Sequence, residues 1–134
     1  MNDPTYIDSY YCNCRRVLIP LTAGTAKKLK NYAFYNVLVV ELILRQLTRL
    51  KPFGDSLASE RASFQTWETS MRNLPRMRIY LSLSIEIIET LDEVVETMFE
   101  LWGQNTDSLR RRFTAYLISR GLLWRSLDES EVSK

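Results

Sequence analysis

The sequence predicts an all-α fold: a four-helix protomer with one long N-terminal helix, pairing as a homodimer. Three observations carry that expectation. Ala23 to Leu50 runs without proline and stops before Lys51-Pro52-Phe53-Gly54, where Pro52 and Gly54 mark a break. Ile87, Ile88, Leu91, Val94, Val95, Met98 and Trp102 recur at helical spacing, and so do Leu109, Phe113, Tyr116, Leu117 and Leu122 or Leu123. With 134 residues, 46% of them hydrophobic, the chain has room for one domain and a modest core.

Residues 1–21 read as an N-terminal arm, in which Tyr6, Tyr10 and Tyr11 supply rings for packing on the chain itself or on a neighbour. The arm lacks a secretory apolar core, and Asp3 and Asp8 set it apart from a transit peptide. Residues 22–125 form the helical domain, with Thr22 or Thr25 able to cap the first helix. A helix from Ala23 to Leu50 would be about 40 Å long at 1.5 Å per residue, so it must project or dimerise. Ser56 to Met71 reads as a second helix, with Phe64, Trp67 and Met71 at spacings of three and four.

The third segment carries two periods. Ile79, Leu81, Leu83, Ile85 and Ile87 alternate with polar residues as a strand does, whereas Ile87 to Trp102 repeats as a helix. A lone strand has nothing to pair with, so the segment is assigned to helix. Gly103 closes it, Asn105 or Thr106 caps the fourth helix, and residues 126–134 read as a flexible polar tail.

The chemistry of the chain is defined largely by exclusion. It has no histidine, which removes most zinc sites, the serine and cysteine triads and imidazole acid–base catalysis. Cys12 and Cys14 stand one residue apart, a spacing that disfavours a bridge and suggests free thiols in a reducing compartment. The band Glu86, Glu89, Asp92, Glu93, Glu96 and Glu100 reads as a solvated face. No metal, cofactor or catalytic residue is expected, and the chain reads as a protein other than an enzyme. No run approaches the roughly 20 apolar residues of a membrane span. The net charge of +2 makes the chain neither a polybasic nucleic-acid wrapper nor an acidic tail and by itself names no partner. Nucleic acid is not the expected partner, because its footprint would want a wider basic face than the arginine triplet offers. Arg110, Arg111 and Arg112 spread around a helix, so at most two can address one ligand.

Tyr32 and Tyr35, beside Lys27, Lys28 and Lys30, remain unexplained by packing alone, because paired rings with polar ends suit either a core edge or a peptide groove. The stretch TAKKLKNYAFYNV resembles the first helix of the RbcX family of Rubisco assembly chaperones, with its Tyr-x-x-Tyr, and Gln46-Leu47 and Lys51-Pro52 stand for that family's later Gln-Leu and turn. Arg78-Ile79, the run Thr90 to Met98, Gln104 and Arg110-Arg111 resemble a second block of the same family. Between Pro52 and Arg78 the chain is shorter than the family pattern, and Val95 replaces its proline. The resemblance implies a chaperone of the cytoplasm or chloroplast stroma that binds an extended C-terminal peptide of the Rubisco large subunit. It further implies that Tyr32, Tyr35 and Gln46 line the peptide groove, with Arg78 and Arg110 as peripheral contacts. The alternative is a small helical adaptor or regulatory protein, viral in one version, that binds a partner helix or nucleic acid through Arg110 to Arg112.

Overall fold

A computed structural model of the chain describes residues 13–50, 56–99 and 105–132, with residues 124–132 described through their backbone alone. The elements are β1 (Cys14–Thr22), α1 (Ala23–Lys30), α2 (Tyr35–Leu50), α3 (Ser56–Met71), β2 (Arg76–Ser84), α4 (Ile85–Phe99) and α5 (Thr106–Val132). The described residues are mostly helical, as the sequence suggests. A two-stranded antiparallel ribbon, however, sits at the centre of the topology.

That ribbon corrects the assignment of residues 79–87 to helix over 79–84, while 85–87 are helical as assigned. β2 pairs along its whole length with β1, from Cys14 opposite Ser84 to Thr22 opposite Arg76. Successive strand side chains point to opposite faces, and Val17, Ile19 and Leu21 bury one face of β1 while Ile79, Leu81 and Leu83 bury the matching face of β2. On a helix, residues two apart diverge by about 200°, so Ile79, Leu81 and Leu83 could not share one buried side. The partner that seemed to be missing lies in the segment read as an arm, where Pro20 interrupts a short alternation. Helical period takes over after Ser84. Two hydroxyls make the switch from strand to helix: Thr22 Oγ1 accepts the Thr25 N–H at 3.3 Å, and Ser84 Oγ accepts the Ile87 N–H at 3.2 Å.

The single long N-terminal helix is also corrected. α1 ends at Lys30, where Asn31 caps it in the right-handed helical region, and residues 31–34 turn the chain before α2 starts. Lys27, Lys28 and Lys30 crowd the last turn of α1, where cations complement the negative end of the helix dipole. The 8 residues of α1 and 16 of α2 give helices of about 12 and 24 Å, so neither projects from the domain. The break lets α1 bury Ala26 and Leu29 beside the ribbon while α2 crosses to α5. Where α2 and α5 meet, Gly121 lets the backbones approach: a Cβ there would stand 3.1 Å from Leu42.

α3 spans Ser56 to Met71 as the sequence suggests, and α5 runs on to Val132, through most of the stretch expected to be a polar tail. Phe64 is fully buried and meets Phe113 edge-on with ring centroids 5.4 Å apart, flanked by Trp67, Phe99 and Tyr116. Cys14, expected to be a free thiol, is disulfide-bonded. No helix among the described residues is long and apolar enough to cross a membrane.

Candidate functional site

The ribbon relates two halves of the chain. Its pairing is centred on Leu18 opposite Tyr80. A half-turn about that centre exchanges Arg16 with Arg78, Leu18 with Tyr80, Pro20 with Ser82, and the capping Thr22 with the capping Ser84. The correspondence continues into the helices, where Ala26 matches Ile88 and Leu29 matches Leu91, all buried. Each half is thus a strand, a helix capped by a hydroxyl, and a second helix: β1-α1-α2 and β2-α4-α5, joined through α3.

The inner face of the ribbon is spent on the core, and the outer face is left to solvent. On it stand Arg16, Leu18 and Pro20 from β1, and Arg78, Tyr80 and Ser82 from β2, with Tyr80 51% exposed. The Arg16 guanidinium lies 4.3 Å from the centre of the Tyr80 ring, a cation–π stack that fixes both groups. The Arg78 side chain makes no ion pair or hydrogen bond among the described residues. It borders a cleft of about 350 Å³ with Leu18, Pro20, Asn105, Asp107 and Arg111.

Both second helices bring their N-termini to the ribbon. α5 starts at the cleft beside Leu18 and Pro20, with Asn105 Oδ1 accepting the Ser108 N–H at 3.2 Å. Near the start of α2, the Asn36 side chain brackets Ser82: its Nδ2 donates to the Ser82 carbonyl at 3.3 Å, and its Oδ1 accepts the Ser82 N–H at 2.9 Å. The ribbon therefore lies between two positive helix ends.

The residues singled out from the sequence fall in different places. Tyr32 sits in the turn between α1 and α2, and Tyr35 is the first residue of α2; both rings are half-buried against the core. They do not share one helical stripe. Gln46 is 2% exposed, and its Oε1 accepts from Arg49 at 3.2 Å, so its amide is part of the interior. Arg110 is turned inward, 8% exposed, where it donates to both oxygens of Asp92 at 2.8 and 3.1 Å and also binds Asp107. Arg111 binds Asp107 and Arg112 binds Glu68 at 2.9 Å, so the whole triplet is engaged within the chain. Arg78 alone of the expected site residues reaches the outer ribbon.

Sequence reasoning missed Arg16, Leu18, Pro20, Asn36 and Tyr80. The signal was a repeated pattern, Val17-x-Ile19-x-Leu21-Thr22 and Ile79-x-Leu81-x-Leu83-Ser84, each leading straight into a helix.

Two other features matter. Glu60, buried on α3, accepts from Arg49 at 3.2 Å, Arg120 at 2.9 Å and the Tyr116 hydroxyl at 3.0 Å, tying α2, α3 and α5 together. Burial, and then the neighbouring Glu60 charge, raise the Tyr116 hydroxyl above the ordinary tyrosine range. On the outside of α2, Val37 (66% exposed), Val40, Leu44 (46%) and Thr48 line a shallow apolar groove, with Glu41 and Arg45 paired across it at 2.9 Å. Among the described residues there is no cluster of carboxylates and thiols able to hold a metal ion. No family model matches the chain, and no curated protein or solved structure matches it either.

Proposed function

We propose that the chain is a non-enzymatic DNA-binding protein that lays the outer face of its β1–β2 ribbon in the major groove of a duplex. The observation that carries this reading is the pseudo-symmetric ribbon, with Arg16 and Arg78 at matching outward positions and a helix N-terminus on either side. Two paired strands are about 4.8 Å apart, and with their side chains they fill a major groove about 12 Å wide. Two-stranded ribbons are an established way of reading base edges. Arginine is the commonest partner of guanine O6 and N7, Tyr80 and Ser82 add hydroxyls, and Leu18 and Pro20 offer apolar contact to a thymine methyl. Helix N-termini suit the flanking phosphates. The major groove of A-form RNA is too narrow for such a ribbon, which favours DNA over RNA in this reading.

Net charge alone names no partner, but the charge is unevenly arranged. Arg15, Arg16, Arg76 and Arg78 lie exposed along the ribbon, with Lys27 and Lys28 exposed on α1. The acidic band of α4 belongs to a different element. The chaperone reading calls for Tyr32, Tyr35 and Gln46 in one groove, and the buried position of Gln46 gives it less support.

Fluorescence anisotropy of a labelled random-sequence duplex tests the proposal, with an extended peptide carrying two aromatic residues as the comparison. Duplex binding should weaken with salt, at a log–log slope of about −0.9 per phosphate contacted. Saturation by the peptide with no duplex binding at low salt would sink the ribbon reading and favour the chaperone.

The homodimer expected from the sequence also has a candidate surface, and we propose that a second copy covers the apolar groove of α2. Under a two-fold axis the helices cross antiparallel, so Glu41 of each copy meets Arg45 of the other around Leu44. Light scattering should then give twice the chain mass of 15.8 kDa at micromolar concentration. Leu44→Asp should return a folded monomer, and Glu41→Arg should do so unless combined with Arg45→Glu. A wild-type monomer would rule the dimer out.

A further inference from the structure

In a ribbon built from two identical chains the outward residues repeat under the two-fold axis, and the DNA site they read is a palindrome. Here one chain supplies both strands, and the outward residues match at one position of three. Arg16 and Arg78 correspond, but Leu18 faces its counterpart Tyr80 across the centre, and Pro20 corresponds to Ser82.

The difference reaches the arginines themselves. Arg16 stacks on the Tyr80 ring at 4.3 Å. The residue that stands to Arg78 as Tyr80 stands to Arg16 is Leu18, which has no ring. Beyond Pro20 lies the cleft at the start of α5, with Asp107 among its walls. At Ser82 stands the bracket formed by Asn36. The two ends of the ribbon therefore present different chemistry to the two halves of any duplex.

The register also sets a spacing. Arg16 lies opposite Ser82, four residues along β2 from Arg78. At about 3.4 Å per residue the two stems are about 14 Å apart along the strands. The Arg16 head, stacked over Tyr80 two residues from Arg78, leans toward Arg78, which sets the guanines about two to four base pairs apart at about 3.4 Å each. A stacked guanidinium reaches its partner already oriented, so less freedom is lost on binding and more of the contact is kept as discrimination.

On the basis of the ribbon reading, we infer that each ribbon recognises a non-palindromic duplex site in one fixed orientation, whether one copy binds or two. Arg16 reads a guanine about two to four base pairs from the guanine read by Arg78, and the Arg16 position is the more strongly specified.

The test is selection of binding sites from a random duplex library with the full chain, repeated with Arg16→Ala, Arg78→Ala and Tyr80→Leu. All three side chains are exposed, and circular dichroism with a melting curve confirms that each variant folds. The expected half-site lacks two-fold symmetry and contains two guanines at that spacing. Arg16→Ala should relax one guanine by about 5- to 150-fold and Arg78→Ala the other, the range of a bidentate base contact. Tyr80→Leu should reduce discrimination at the Arg16 base to the level of the Arg78 base. A motif whose single half-site is itself palindromic, or arginine variants that select the wild-type motif, overturns the inference and leaves ribbon binding standing, whereas an inverted repeat of non-palindromic half-sites supports it and reports two copies on the duplex. Failure to retain any duplex overturns both.

Discussion

Glu60→Ala is expected to cost about 3–5 kcal/mol of folding stability, the range found when one member of a buried charge network is removed. The Glu60 side chain is 5% exposed, and it is the acceptor shared by Arg49, Arg120 and the Tyr116 hydroxyl. Its loss deprives two guanidinium groups of their common carboxylate and leaves a buried hydroxyl with a lone neighbouring donor, Arg120, at 2.6 Å. Arg49 is 37% exposed in its side chain and regains water, which holds the effect below a fully desolvated case. Glu60→Gln keeps an acceptor and should lose less than the alanine variant. Urea unfolding of the three proteins measures the difference. A loss under about 1 kcal/mol would mean that water already satisfies the network.

The second large effect concerns binding. Replacing Arg16 and Arg78 together by alanine should remove about 2–6 kcal/mol of sequence-specific affinity, the sum of two arginine–guanine contacts at about 1–3 kcal/mol each. The two side chains stand far enough apart for their contributions to add. Both are exposed and neither supports the core, so the melting temperature should hold within the small range of surface substitutions. Binding to unrelated duplex should survive in part, because Lys27, Lys28, Arg15 and Arg76 still meet phosphate. Lysine at both positions should recover only some specificity, since an ammonium lacks the planar fork. Titration of specific and unrelated duplexes at one salt concentration separates the two losses. An equal fall for both would assign the arginines to phosphate contact alone.

Much of the helical frame was legible in the residues. α3 coincides with the segment marked by Phe64, Trp67 and Met71, and the core sides of α4 and α5 follow Leu91, Val94, Met98, Leu109, Phe113 and Leu117 as their spacing suggests. The ribbon was not legible, because a strand is a statement about its partner as much as about itself. Ile79, Leu81 and Leu83 showed the right alternation, but Val17, Ile19 and Leu21 lay more than fifty residues earlier, among residues that looked like an arm. The break after Lys30 was hidden for a related reason: nothing in Asn31 to Phe34 forbids a helix, and only the need to place Leu29 and Leu42 on different partners ends it. The site suffered most. Arg78 and Arg110 entered as peripheral contacts through the family resemblance; Arg78, in a segment assigned to helix, is found on a strand, and Arg110 is bound to Asp92 inside the domain.

Joining both halves in one chain has a consequence for how the ribbon responds to dilution. A ribbon made by two separate molecules falls apart as concentration drops, and its stability cannot be stated without the protomer concentration. Here residues 23–75, through α1, α2 and α3, join β1 to β2, so the pairing of the strands is intramolecular and does not depend on protein concentration. The reading face therefore persists at nanomolar protein, and a single molecule carries a complete recognition unit at copy numbers where a two-chain ribbon would have dissociated.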